Sequence, residues 1–326
     1  MSALALHFAL PTPAIAAWRA SNTGVEGVWQ FDSHQPGRDV LITALVHGNE
    51  LCGAWALKGL LEAGVRPCQG TLTLAFCNLA AFDRFDPTDH DASRFVDEDL
   101  NRQWQLERIE SGGSLERRRA GELHPFVANA DWLLDLHSMH ERSAPLLLTG
   151  MQARNLELAK QLRTPRYIVV DAGHKDGVRM RDFGRFGVLA PEGDDAQTRS
   201  LLLECGFHGD VSSRTVARDM CARFLEAADM LQKSDLQQLL PGWLQADGER
   251  QWVLEVTDAV VASSTDFRFV APYQGLECIA KAGTVIAWDG PEPVATPYDD
   301  CVLVMPSIRQ AKPGVTVTRF ARRRPL

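Results

Sequence analysis

Four short clusters in the chain hold residue types that can do chemistry. The first is His47-Gly48-Asn49-Glu50, directly after an apolar run. A histidine and a glutamate three apart, with a glycine between, can turn toward one point in a tight loop. An imidazole nitrogen and a carboxylate oxygen suit zinc. The spacing is not that of the helical HExxH pattern, so these ligands belong on a loop. The second cluster is Asp135-Leu136-His137, with another histidine at the end of an apolar run. Two histidines and one glutamate make a catalytic zinc set that leaves a fourth position for water. The third runs from Arg94 to Arg102 and contains Asp99 and Asn101. Asp99 can accept a hydrogen bond from a metal-bound imidazole. Asn101 and Arg102 can clamp a carboxylate, and Arg94 can polarise a scissile carbonyl. The fourth is Glu204-Cys205-Gly206. A carboxylate there, beside an activated water, is a general base. Taken singly, each cluster also reads as ordinary structure: a packed histidine, a solvated loop, a salt-bridged glutamate. Cys205 as a nucleophile is a rival without supporting context.

The elements that must position these groups read as α/β. Apolar runs at 39–47, 71–76, 132–137, 166–170 and 201–204 predict buried strands, the last breaking at Gly206. Segments 53–61, 115–130, 156–162 and 213–231 predict helices, and 82–99 and 173–187 predict loops. Strands alternating with helices imply a central mixed, largely parallel sheet flanked by helices. In such sheets ligands bind outside the carboxyl ends of the strands, where His47, His137 and Glu204 fall. The character changes near Pro241-Gly242. From there on the segments 252–257, 267–270, 284–288 and 302–305 read as short strands, with no helix signal. The expected division is a catalytic α/β domain over 1–244 and a small all-β domain over 245–326 that shapes access to the site.

Composition excludes other classes. The net charge is −8, which disfavours nucleic acid and anionic membranes as partners. The basic runs 117–119 and 322–324 read as solvated. Seven cysteines at wide spacing without a CxxC argue for free thiols in a reducing compartment. No apolar run is long enough to span a bilayer. The first ten residues carry no Lys or Arg and are followed by Pro11 and Pro13, unlike a signal peptide. The expected location is the cytoplasm.

In order, His47-Gly-Asn-Glu50, Arg94-Phe-Val-Asp-Glu-Asp-Leu-Asn-Arg102, Asp135-Leu-His137 and Glu204-Cys-Gly206 resemble the motifs of the succinylglutamate desuccinylase/aspartoacylase family, relatives of the zinc carboxypeptidases. The resemblance implies one zinc per chain held by His47, Glu50 and His137, with Asp99 orienting His47. It implies Glu204 as general base and then acid, Arg94 as oxyanion stabiliser, and Asn101 and Arg102 as the substrate-carboxylate site. The implied reaction is hydrolysis of the amide of a small anionic N-acyl amino acid, of the acylaspartate or succinylglutamate type. The alternatives are a zinc carboxypeptidase for short peptides and a non-catalytic, zinc-containing ligand binder. A homo-oligomer is left open. Family members that cleave acylaspartate read a second carboxylate with a further arginine and a tyrosine. Here Arg179, Arg181, Arg185 and Arg199 precede Glu204, and none of Tyr167, Tyr273 and Tyr298 matches cleanly. His140 and His208 read as polar lining residues, and 191–195 as an insertion.

Overall fold

A computed structural model describes residues 7–248, 250–309 and 311–326. The reading of the first ten residues therefore falls partly outside the described residues. The chain begins with β1 (Val28–Asp32), β2 (Asp39–Ala44), α1 (Leu51–Glu62), β3 (Thr71–Phe76) and the single turn α2 (Leu79–Phe82). Next come α3 (Leu106–Ser111), α4 (Leu115–Asn129), β4 (Trp132–Met139), β5 (Leu146–Leu148), α5 (Ala153–Leu162) and β6 (Tyr167–Val170). After β7 (Arg199–Phe207) follow α6 (Val211–Ala227) and α7 (Lys233–Leu239). The remaining chain supplies β8 (Trp252–Val261), β9 (Phe267–Phe269), β10 (Cys278–Ile279), β11 (Val285–Asp289), β12 (Glu292–Ala295), β13 (Cys301–Val304) and β14 (Thr316–Pro325).

Among the described residues eleven strands form one mixed sheet in the order β1-β3-β2-β4-β7-β5-β6-β8-β14-β13-β10. The run β3-β2-β4-β7 at its heart is parallel. β9, β11 and β12 form a separate antiparallel sheet. The predicted α/β class, with small antiparallel structure toward the C-terminus, is what the chain adopts. Of the strands after residue 245, β8, β14, β13 and β10 continue the main sheet through the parallel pairing of β8 with β6.

The core explains why the predicted strands are continuous apolar runs rather than alternating ones. Ile42, Leu134, Leu136, Leu201 and Leu203 pack toward α1, α5 and α6. Leu41 and Leu133 pack on the other face, against Leu123 and Val127 of α4. A sheet covered on both faces has no solvent side to encode. α1 lies very close to the sheet. A Cβ at Gly53 would stand 2.8 Å from Leu136 Cβ and 2.9 Å from Ala44 Cβ.

Several expectations are corrected. β7 does not break at Gly206 but runs to Phe207. Its pairing with β4 shifts from His137↔Glu204 to Met139↔Phe207, a bulge of one residue with Gly206 at φ +100°. The helix predicted over 213–231 starts earlier, where the Asp210 side chain caps Ser212 N–H, and ends at Ala227. α2, α3, α7, β1, β5, β10, β12 and β14 went unpredicted. β5 is only three residues long, and arginines mask β14. Arg119 is not solvated: its guanidinium is buried and donates to the carbonyls of Cys77, Phe76 and Glu26 at 2.6–2.9 Å. It thereby satisfies carbonyls at the end of β3.

Replacing Gly53 with Val should lower stability by about 1–3 kcal/mol through overpacking, read from the denaturant midpoint. Unchanged stability would mean that α1 shifts freely on the sheet.

Candidate active site

Glu50 is the meeting point of the site. Its Oε1 lies 2.8 Å from His47 Nδ1 and its Oε2 lies 2.8 Å from His137 Nδ1. The remaining nitrogens face carboxylates as well. His47 Nε2 is 3.0 Å from Asp99 Oδ1, and His137 Nε2 is 2.8 Å from Asp135 Oδ2. Asp135 is steadied in turn by Thr43 Oγ1 at 2.7 Å, its register partner on β2. His47, Glu50, His137 and Asp135 are all buried. Burial alone would raise the Glu50 carboxyl, but the two imidazoles outweigh it and hold it well below its usual value. Burial likewise works against a charged His137, yet Asp135 and Glu50 raise its pKa well above the ordinary one.

One ligand atom from each of His47, Glu50 and His137 can be chosen so that all lie within 4.8 Å of one another. Among the described residues this is the one such group of three. The set fits zinc chemically. Two imidazoles and a carboxylate are catalytic zinc donors. Each imidazole turns one nitrogen to the shared centre while a carboxylate behind it holds the other, the arrangement that fixes a ligand's tautomer and orientation.

Local chemistry explains this convergence. Leu45, at φ +56°, turns the chain off β2. Gly48 then packs so tightly that a Cβ would stand 2.4 Å from both Ser93 O and the carbonyl carbon of Ala81. Only glycine lets the His47–Glu50 loop lie there, and Gly48 N–H donates to Arg94 O at 3.1 Å. The Arg94–Arg102 segment is pinned from below by Glu116 of α4. This fully buried carboxylate accepts the backbone N–H groups of Val96, Asp97 and Glu98 at 2.7–3.1 Å and the Asn78 amide at 3.0 Å. Sequence reasoning missed Glu116, because nothing marks a helical glutamate as the anchor of a loop some twenty residues earlier.

Arg94 donates to Glu50 Oε1 at 3.3 Å and to Asp99 Oδ2 at 3.1 Å, and its buried Nε has no partner. Burial raises the Asp99 carboxyl, but His47, Arg94 and Arg102 outweigh it and set it well below its usual value. Asn101 Oδ1 accepts Met180 N–H at 2.9 Å, and Arg102 Nε lies 3.3 Å from Asp176. Glu204 stands beside His137 in register, with Oε2 shielded from solvent and without a partner. Burial, and then the Glu50 charge, push its carboxyl up to about 8.

These groups share one cleft. His47, Glu50, His137 and Glu204 line it together with Arg94, Asn101 and Arg102, while Asp99 lies behind His47 outside the lining. The sequence left open which arginine before Glu204 reaches the cleft. Arg179 does, but Asp171 holds it with two bonds of 2.9 and 3.0 Å, and Asp182 also engages it. Arg181 is fully buried against Thr149 O and Ser200. Arg185 binds the chain end of α4, and Arg199 caps the Ala196 and Thr198 carbonyls. Among the described residues no tyrosine lines the cleft. His140 lines it, whereas His208 lies behind it, 2.8 Å from Ser138 Oγ.

Sequence reasoning also missed Arg319 of β14, which is 4% exposed and lines the cleft. Among the described residues it makes no ion pair. Its Nη2 lies 3.1 Å from Nε2 of His174, whose ring is held neutral by burial and by Arg102, Arg319 and Arg179. A buried guanidinium is costly without a counter-charge; Arg319 faces the cleft with Asp171 and Glu204 acting on it from beyond ion-pair distance. Its run of basic neighbours reads as a surface tail, which hides it.

Glu116→Ala should strip the acceptor from three backbone N–H groups and cost roughly 2–5 kcal/mol. Hydrogen exchange would then show the Val96, Asp97 and Glu98 amides losing protection before the sheet does. Retained protection would mean that the loop is held by other contacts.

The succinylglutamate desuccinylase/aspartoacylase catalytic-domain model matches residues 36–219. No curated protein matches the chain. Among solved structures, succinylglutamate desuccinylase from Vibrio cholerae is 15% identical, with a TM-score of 0.63 and coverage of 91% of this chain and 86% of that one. The Chromobacterium violaceum desuccinylase is 17% identical, with a TM-score of 0.61 over 93% and 90% of the two chains. The product-bound ectoine utilization protein EutE (DoeB) from Ruegeria pomeroyi is 18% identical, with a TM-score of 0.59 over 88% and 86%. At these identities the likeness speaks for the fold. The family model spans more than half of the chain and contains all four motifs, and the chain belongs to the succinylglutamate desuccinylase/aspartoacylase family of deacylases.

Proposed function

We propose that this protein is a zinc-dependent amidohydrolase that cleaves a small N-acyl amino acid of the acylaspartate or succinylglutamate type. The observation that carries the reading is the pairing of Glu204 with the His47–Glu50–His137 group across adjacent strands, in one cleft rich in arginine. His47, Glu50 and His137 would hold zinc, which when bound supplies a Lewis acid for the acyl carbonyl and lowers the pKa of water. Glu204 takes the proton of the attacking water at its free Oε2 and later delivers it to the leaving amine. Burial raises this carboxyl above the ordinary glutamate range, which favours its holding the proton between the two steps. Arg94 donates to the oxygen that gains charge as the carbonyl becomes tetrahedral. Asn101 and Arg102 bind the substrate carboxylate, Asp99 orients His47, and Asp135 orients His137.

Residues 1–244 supply this machinery, and 245–326 shape access to it. The later segment brings Gly275, Met305, Pro306, Thr316 and Arg319 to the cleft wall, a roofing that favours small substrates over peptides. Arg319 answers a second anionic group on the substrate. No helix among the described residues is long and apolar enough to cross a membrane, and seven free cysteines favour the cytoplasm.

Wild-type protein should carry about one zinc per chain, and Glu204→Gln should keep it while losing at least about 10²-fold in kcat. Elemental analysis alongside hydrolysis of an N-acyl amino acid panel checks both, and an active Glu204→Gln would remove the mechanism. Arg319→Met should cut kcat/KM for acylaspartate or succinylglutamate on the order of tenfold, about the value of one charged hydrogen bond. The loss should be much smaller for acylated amino acids with a single carboxylate. An equal loss on both substrate types would assign Arg319 to stability instead.

A further inference from the structure

His140 lies just past the end of β4 and touches the cleft, yet neither the metal site nor the proton transfer uses it. Its Nδ1 is 2.9 Å from Asp91 Oδ1, and its Nε2 is 3.3 Å from Arg94 Nη1. A carboxylate can only accept and a guanidinium can only donate. The two contacts are satisfied together only by a neutral imidazole protonated at Nδ1, with the Nε2 lone pair turned to Arg94. An imidazolium would set two N–H groups against each other.

We infer that Asp91 and His140 are positioning residues for Arg94: Asp91 fixes the imidazole, and the imidazole holds Nη1 at the cleft. This rests on the role proposed for Arg94 above. The other acceptors of Arg94, Glu50 and Asp99, are carboxylates that compensate its charge. His140 directs the guanidinium without adding a third negative charge to it, and the unpartnered Nε is left to donate to a developing oxyanion. Burial, reinforced by Arg94, lowers the pKa of His140 despite Asp91 and keeps the ring in the accepting form.

Asp91 is itself anchored from far along the chain. Its Oδ2 takes Arg309 Nη1 at 3.1 Å, and Arg309 Nε also binds Glu141 Oε1 at 2.7 Å. A residue beyond β13 thus steadies a loop that precedes β4, and the C-terminal segment reaches Arg94 through Asp91 and His140. Glu141 directly follows His140, so both ends of the His140–Asp91 contact are tied to the same guanidinium.

The test uses full-length, zinc-loaded protein, with zinc content and thermal melting recorded for every variant. His140→Ala should lower kcat by about 10- to 10²-fold, the scale of a misplaced catalytic group, with KM within about twofold of wild type. His140→Gln offers a carbonyl acceptor near the place of Nε2 and should recover most of that loss. Combining His140→Ala with Arg94→Lys should cost little beyond Arg94→Lys alone, because one device has been broken twice. Wild-type kcat in His140→Ala, or additive losses in the double variant, would overturn the proposal. Arg94→Lys with full activity would overturn the role of Arg94 itself and this inference with it. A defective Arg94→Lys beside a normal His140→Ala would overturn the positioning alone.

Discussion

One buried carboxylate organises this site. Glu50 accepts from an imidazole on each of its oxygens, and those imidazoles come from the ends of two adjacent parallel strands. In a low-dielectric interior an ionised carboxylate persists only when it is fully paired. Here the pairing ties the turn after β2 to the end of β4, and so fixes the distance between three donor atoms. Asp99 and Asp135 close the outer side of the same array. The result is an alternation of carboxylate and imidazole in which no ring is free to rotate, and which presents its inner nitrogens to one point.

Around that array the structure invests in holding loops rather than in adding ligands. Gly48 seats the His47–Glu50 turn against Ser93 and α2. Glu116 threads three backbone N–H groups of the Arg94–Arg102 loop onto α4, and Arg119, one helical turn further, secures the end of β3. Binding residues carried on loops need such support to be precise. The electrostatics follow from the same packing. Most arginines near the cleft have a carboxylate at hand: Arg94 has Glu50 and Asp99, Arg102 has Asp176, and Arg179 has Asp171. Among the described residues the Arg319 side chain bonds only a neutral imidazole, with Asp171 acting on it from beyond ion-pair distance.

Much of this was legible in the chain itself. The parallel strands β2, β4 and β7 and the motifs at their ends follow from apolar runs that lead into His and Glu, because strands covered on both faces are largely apolar. His47, His137 and Glu204 fall into one cleft as their positions at strand ends imply, and Glu50, Arg94, Asn101 and Arg102 join them from loops. The pairing of His137 with Glu204 is a register fact about β4 and β7 that no local pattern contains.

What only the tertiary structure decided lies in contacts between segments far apart in the chain. Glu116, Arg319, His140 and Asp91 are chemically ordinary in their local sequence, a helix glutamate, a basic tail, an extra histidine and a loop aspartate. Their partners are brought to them by sheet order and helix packing, not by neighbours. The sequence determined which donors exist and which strand ends they sit on, since both follow from local periodicity and turn chemistry. It could not determine which of its many arginines would be left without a carboxylate in ion-pair contact. Charge compensation depends on distances across the fold, and those are set only once every element has packed.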